Sequence, residues 1–183
     1  MPSPEPFVLP KLVRAQADSA LEECQTPVAD CCLGRKGLRH MADQADWFGA
    51  FVELSLQEIW ESPQVIQDED GDYPFTGGSA TAYVSIDPEP KLGVCVWSYA
   101  AHQVKGSASV LRELNDLNAG ARLCKVMWHD GVIRVELRLP ADQVSVESLE
   151  RACGHVQSMT SDIGELFAVV HGGERVLAEP EAS

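Results

Sequence analysis

Basic residues are scarce in this sequence. Its 183 residues include 14 Lys and Arg against 28 Asp and Glu, which gives a formal net charge of −14. An acidic surface repels phosphate backbones, so we expect no nucleic-acid partner. The acidic residues are spread along the chain, which is typical of a solvated surface, and a basic partner is the other interpretation.

Long hydrophobic runs are also missing, and no window approaches the ~20 apolar residues that a membrane-spanning helix needs. The beginning, MPSPEPFVLPK, is rich in proline and has no basic segment, so we expect no signal peptide. Three of the six cysteines, Cys95, Cys124 and Cys153, fall inside apolar patterns, as free buried thiols do. These features predict a reduced, cytoplasmic protein that binds no membrane.

Motifs of catalysis and cofactor binding are absent. The sequence contains no Gly-x-Gly-x-x-Gly or Walker loop and no Gly-x-Ser-x-Gly nucleophile motif. We therefore expect no enzyme, no cofactor and no catalytic residue, although residues distant in sequence can still assemble a site.

Metal-binding patterns are weak. Cys31 and Cys32 could join Cys24 and His40 as zinc ligands, but vicinal cysteines fit one tetrahedral site poorly, and loop or interface cysteines are the alternative. A redox role for the vicinal pair stays open. The acidic stretch DEDGDYPF lacks the glycine that a calcium loop needs at its sixth position, so we predict a solvated turn and no metal.

Apolar residues recur at helical spacing in four segments. We predict helices at about 11–25, 40–61 and 107–119, and a long one after a capping Ser145. The segment 26–37, with its glycines and a proline, separates the first two. The stripe of the last helix consists of Val146, Leu149, Cys153, Val156, Thr160, Ile163, Phe167 and Val170. Thr160 is the one polar member. Gly154 and Gly164 have two interpretations, either close approach of a neighbouring element or a break of the helix near Thr160–Asp162.

The strand signals lie between these helices. The segments 79–86 and 92–99 are strand-like and apolar on both faces, as strands buried from two sides are. Asp130-Gly131 predicts a type I′ hairpin in which His129 pairs with Val132. This register puts six apolar residues on one face: Cys124, Val126, Trp128, Ile133, Val135 and Leu137. Runs of strands between helices favour an α+β fold, with an antiparallel sheet of about five strands and helices packed on one face.

A known family pattern appears in VLRELNDLNAGARLCKVMWHDGVIRVELRLP (110–140), in ATAYVSIDPEPKLGVCVWSYAAHQVKGS (80–107) and in the terminal HGG. These segments resemble the YbjN family, which is related in fold to type III secretion chaperones of the CesT class. The resemblance implies the order α-β-β-β-α-β-β-α. It suggests three parts, namely an N-terminal helical extension at 1–37, the chaperone-like domain at 38–173 and a C-terminal tail at 174–183.

The same resemblance implies a chaperone-like module, commonly a homodimer, that holds an extended segment of a client protein or peptide without catalysis. A self-associating regulatory or structural domain is the alternative, and an unrecognised enzyme or metal protein is the third. Binding would use a free sheet edge or an apolar groove. Candidate peptide-binding residues on the less buried strand faces are Tyr83, Trp97, Tyr99, Leu123 and Met127, and core packing is the alternative for each.

The asparagines of LRELNDLNAGAR (111–122) are interpreted as structural rather than ligand-binding. Asn118 precedes Gly120, the expected residue after the helix end, where a side-chain amide can satisfy free carbonyls. Asn115 lies one turn earlier, placed to bond the backbone that enters the next strand. Together with Asp130 and Gly131 of the hairpin, these residues form the predicted structural motif.

Overall fold

The helices and strands follow the predicted order. A computed structural model of the protein describes residues 34–88, 91–120 and 123–178, with side chains from residue 46 onward. In chain order the elements are α1 (Gly34–Ile59), β1 (Tyr73–Thr76), β2 (Thr81–Asp87), β3 (Gly93–His102), α2 (Ala108–Gly120), β4 (Lys125–His129), β5 (Val132–Pro140), α3 (Val146–His171) and β6 (Glu174–Arg175). A short 3-10 turn at Ala141–Gln143 joins β5 to α3.

One antiparallel sheet has the strand order β1-β2-β3-β5-β4, and β6 pairs with the end of β3. The α+β prediction is confirmed, with β6 as an additional sixth strand. Residues beyond β6 continue along the sheet, because Val176 donates to the carbonyl of Ala100 at 3.2 Å and Ala178 to that of Ser79 at 2.8 Å. Within the tail predicted at 174–183, these described residues bond to the sheet.

The β4–β5 hairpin has the predicted register. His129 pairs with Val132 and Val126 with Val135. Asp130 and Gly131 have φ of 48° and 86°, as the two central residues of a type I′ turn require. The six apolar residues of one face are buried or half-buried, so the burial of that face agrees with the register.

The core lies between the sheet and the three helices, which pack on one face as predicted. Residues at helical spacing on α1 and α3 cover alternate residues of the strands. The largest fully buried side chains of the core include those of Phe48, Val52, Leu56, Val84, Val94, Val96, Ile133, Leu149 and Phe167. Among the described residues, no helix packs on the opposite face of the sheet.

Helix α1 departs from the sequence prediction in two respects. It begins at Gly34 rather than at residue 40, so two glycines interpreted as breakers lie within it. Its apolar residues at helical spacing are also not all in the core, since Phe51 and Trp60 are half-buried at its edge and Trp47 is 65% exposed. The predicted helix at 11–25 and the cysteines Cys24, Cys31 and Cys32 lie outside the described residues.

Helix α3 is continuous through Thr160, so the suggested break does not occur. Ser145 caps it in a reciprocal arrangement with Ser148, as the N-cap prediction required. The stripe from Leu149 to Phe167 is buried against the sheet, and only its ends reach the surface. Among the helices of the described segments, none combines the length and apolar character needed to cross a bilayer.

Candidate functional site

The sheet face opposite the helices is formed by the residues that alternate with the core-facing ones. We call it the open face, and it comprises Tyr83, Trp97, Tyr99, Lys125, Met127, Arg134, Glu136 and Arg138. Because successive side chains of a strand point to opposite faces, the register that buries the hairpin's apolar residues also places this set together.

Three aromatic rings form the centre of the open face. Trp97 on β3 stacks on its cross-strand partner Tyr83, with ring centroids 4.4 Å apart and an angle of 18° between the planes. Tyr99 meets the Trp97 ring edge-on at 5.1 Å. The Arg134 guanidinium carbon lies 4.3 Å from the Trp97 centroid, within cation–π range. Since β2 and β5 flank β3, Tyr83 and Arg134 approach Trp97 from opposite sides.

Because of this packing, the three aromatic residues differ in how much of their ring surface a ligand can contact. Trp97 has both ring faces occupied, and its Nε1 donates to the hydroxyl of Ser85 at 2.7 Å. It therefore holds its neighbours in position rather than offering a free ring. Tyr83 and Tyr99 flank it and are half-buried, so they present the surface that an incoming chain would contact. Tyrosine suits this role because a rigid, amphipathic ring loses little entropy on binding.

Charged groups close one side of the aromatic cluster. The Glu136 carboxylate, only 8% exposed, contacts Arg134 at 3.6 Å and Arg138 at 3.3 Å, and Arg138 also reaches Asp87 at 2.6 Å. Lys125 stands opposite Glu136 in the register, but the arginines supply the ion pairs. With Lys125, the three cations exceed the two carboxylates by one, so the open face has a small positive excess on a protein with a net charge of −14.

The five sequence-predicted binding residues divide into two groups. Tyr83, Trp97 and Tyr99 are in mutual contact at the centre of the open face. Met127, 38% exposed, lies opposite Arg134 on the neighbouring hairpin, and Leu123, 59% exposed, precedes β4 at the rim. The first group is a single cluster, and the second extends it toward the sheet edge.

Both edges of the sheet are partly closed to an added strand. On the edge strand β4, Asn118 donates from Nδ2 to the carbonyl of Val126 and accepts from its N–H through Oδ1, both at 2.9 Å. The outward backbone groups of Val126 are thus occupied by a side chain. On the other edge, Pro74 lies within the four-residue β1 and has no N–H to donate.

The predicted structural residues occupy distinct positions. Asn118 bonds the strand at Val126 rather than carbonyls of its own helix, while Asn115 is exposed on α2. Gly120 is the last residue of α2, rather than the one that follows it. Asp130 and Gly131 form the hairpin turn.

Replacing Asn118 with alanine should lower the free energy of unfolding by about 1–2 kcal/mol, because two hydrogen bonds to a buried strand residue are lost. Asn115→Ala, on the same helix and exposed, should change it by less than about 0.5 kcal/mol. Urea unfolding followed by circular dichroism measures both. Equal losses in the two variants would contradict the role assigned to the Asn118–Val126 pair.

A groove of about 440 Å³ lies on the helix side of the molecule, between the end of α1, β1 and α3. We call it the α1–β1–α3 groove. Its lining consists of Ile59, Trp60, Phe75, Thr76, Gly77, Glu150, Cys153, Gly154 and Gln157. Sequence reasoning missed this site because its walls come from three distant segments. The one available signal was a tryptophan at the end of a helix next to a half-buried strand.

The cysteine thiols at the two sites are not activated as nucleophiles. Burial raises the pKa of Cys153, in the groove, to about 12, and that of Cys95, which lies on the open face and is covered by its neighbours, to about 11. Both therefore stay as neutral thiols at pH 7 and are poor nucleophiles. In the described segments no three His, Cys, Asp or Glu side chains are grouped to hold a metal ion.

Solved structures with a similar fold include chains from two protein complexes. A chain in the structure of the HopA1–SchA chaperone–effector complex has a TM-score of 0.53 and 15% identity, covering 67% of this chain and 96% of its own length. A chain in the ExsC–ExsE complex has a TM-score of 0.51 and 14% identity, covering 76% and 98%. At such identities the likeness establishes the fold alone.

No curated protein sequence matches the chain significantly. A family model described as T3SS (YopN, CesT) and YbjN peptide-binding chaperone 1 does match, over residues 46–179. The resemblance inferred from the helix–hairpin segment at 110–140 is thereby confirmed. The chain belongs to this family of T3SS and YbjN peptide-binding chaperones.

Proposed function

We propose that this protein is a non-catalytic, chaperone-like module that holds an extended segment of a client protein on its open face. The aromatic cluster of Tyr83, Trp97 and Tyr99, on the side of the sheet that no described helix covers, carries the proposal. Apolar side chains of the client would pack on the two tyrosines and on Met127. Family membership supports a peptide as the ligand.

Because both edges of the sheet are partly closed, binding of a client across the open face is favoured over addition of a client strand at an edge. A client strand beside β4 would have to displace Asn118 from Val126, and one beside β1 would meet Pro74. A segment lying across the open face displaces neither. The excess of cations there also suits a client segment with acidic residues, which the remaining surface would repel.

The alternative of a regulatory domain acting through self-association required the α3 stripe to pack between subunits. That stripe is buried against the sheet of the same chain, so this observation does not favour it. Homodimer formation is proposed separately, on family resemblance. Light scattering at high concentration tests it, and a strict monomer would remove it.

Tyr83→Ala combined with Tyr99→Ala should weaken binding of an unfolded polypeptide roughly tenfold or more, since truncated aromatic anchors commonly dominate such interfaces. The probe is reduced, carboxymethylated α-lactalbumin, which stays unfolded, and titration calorimetry measures the affinity. The matched control is Trp47→Ala, an exposed aromatic on α1. Circular dichroism verifies that both variants keep the fold.

The control defines how the proposal fails. Unchanged affinity in the double variant, or a loss confined to Trp47→Ala, would place the contact surface on the helix side and overturn the open-face assignment. Wild-type protein that does not retain the unfolded chain at all would remove the proposed function itself.

A further inference from the structure

The side-chain amide of Gln157 is unsatisfied within the described structure. It lies on α3 in the wall of the α1–β1–α3 groove, and its Nε2 is buried with no hydrogen-bond partner among the described residues. A buried donor without a partner is costly, so such groups are few in folded proteins. A ligand that supplies an acceptor would remove this cost.

Two glycines border the Gln157 amide, which packs against Gly77 and has open space beside Gly154. At Gly77 a side chain would collide with the Gln157 amide, and at Gly154, one helical turn before Gln157 on α3, a Cβ would meet no atom within 4 Å. The opposite wall is aromatic, with the rings of Trp60 and Phe75 stacked at 5.4 Å. The groove therefore combines one polar amide with a flat apolar surface.

The same protein already shows what such an amide can bind. Asn118 holds Val126 by donating to its carbonyl and accepting from its N–H, both at 2.9 Å. A primary amide thus recognises the backbone of one extended residue without regard to its side chain. Gln157 offers the same donor and acceptor, and its Nε2 has no hydrogen-bond partner among the described residues.

We propose that the α1–β1–α3 groove binds a single residue of an extended polypeptide through Gln157. The amide turns from its packed position against Gly77 into the open space beside Gly154 and pairs with the backbone N–H and C=O of that residue. The large apolar side chain of the bound residue packs on Trp60 and Phe75. This site rests on the proposed function, since it would be a second contact for the same client. It goes beyond the open face by assigning a separate element of backbone recognition.

The groove favours an apolar residue over a charged one. Its volume of about 440 Å³ is within the range of sites that enclose small ligands, and Cys153 contributes a neutral thiol. Glu150 at the lining repels an acidic side chain. No lining residue is basic, so phosphorylated or carboxylate ligands would find no cation to pair with.

The test uses a single-residue probe, N-acetyl-L-phenylalanine N-methylamide, titrated into the full chain and followed by ¹H–¹⁵N NMR. Shifts are expected at the Gln157 side-chain amide and the Trp60 indole. A second probe carries a methyl group on the phenylalanine nitrogen, which removes the N–H. It should bind roughly tenfold more weakly, because one of the two hydrogen bonds is lost and the methyl group obstructs the amide.

Gln157→Leu provides the matched variant, and Gln157→Asn, with a shorter amide, serves if leucine perturbs the fold. The first probe should bind either variant roughly tenfold more weakly than the wild type. Gln157→Leu should also no longer distinguish the two probes, since it has no amide to pair with the N–H. Equal affinity of wild type and variants, or shifts confined to the open face, would overturn the assignment.

The outcome is separable from that of the open face. If the wild type retains unfolded α-lactalbumin but the probe causes no shift at Gln157, the groove assignment fails and the proposed function stands. The Tyr83→Ala/Tyr99→Ala protein should still bind the probe in the groove with wild-type affinity. If the double variant did not bind the probe, the two sites would not be independent and the inference would be wrong.

Discussion

Gly164→Ala should lower the free energy of unfolding by about 2–3 kcal/mol, despite the better helix propensity of alanine. A Cβ at Gly164 would lie 2.7 Å from the carbonyl oxygen of Ala100, where β3 has a register irregularity next to the β6 segment. This oxygen belongs to the backbone and cannot rotate away. The helix would have to move off the sheet along part of its buried stripe, which disturbs close-packed neighbours.

Gly154→Ala on the same helix is the matched control. A Cβ there meets nothing within 4 Å, so the substitution should raise the free energy of unfolding by up to about 1 kcal/mol through helix propensity. Urea unfolding monitored by tryptophan fluorescence measures both, with unchanged denaturant slopes as the test of two-state behaviour. Changes of the same sign and size in the two variants would contradict the close approach at Gly164.

Sequence pattern predicted the hairpin best because several local signals agreed there. The Asp130-Gly131 turn selects a two-residue loop, and the alternation of apolar residues selects the same register. A register shifted by one residue would turn the apolar side chains of one strand to the opposite face, so the two signals support each other. The family pattern at 110–140 covers the same elements, and the α+β arrangement follows from them. Agreement between local and global preferences is the condition under which sequence reasoning succeeds.

Elements that depend on distant partners were not predicted. Strand β6 has two residues and exists because β3 extends beyond β2 and leaves backbone groups at Ala101 and His102 to be paired. On α1, the apolar residues spread over more than one face, and only tertiary packing decides that Phe48 is buried while Trp47 is exposed. Helical spacing alone cannot make that distinction.

The candidate sites follow the same division. Alternation along β2 and β3 was enough to put Tyr83, Trp97 and Tyr99 on one face, since pairing of neighbouring strands brings that face together. The partner of Asn118 and the isolation of Gln157 depend on where other segments pass, which no pattern in one segment encodes. Polar side chains are therefore recognised from sequence more readily than their partners are.

Alkaline pH should destabilise the protein strongly because of its buried thiols. Burial raises the pKa of Cys95 from 9.0 to about 11 and that of Cys153 from 9.0 to about 12, and it raises the pKa of Cys124 as well. Below pH 9 the thiols are protonated in both states and contribute no pH dependence. Above it the unfolded chain loses these protons first, so stability falls as pH rises toward the folded-state values.

By pH 11 the thiols of Cys95 and Cys153 should together remove on the order of 5 kcal/mol of unfolding free energy relative to pH 8. Urea unfolding under reducing conditions at pH 8, 9, 10 and 11 measures this loss. The combined variant Cys95→Ala and Cys153→Ala starts lower at pH 8 because it leaves small cavities, but its stability should fall much less with pH. Lysine and tyrosine titrate equally in both proteins, so the difference between the two curves isolates the thiols. Parallel curves would mean that the folded state ionises these cysteines as easily as the unfolded chain does.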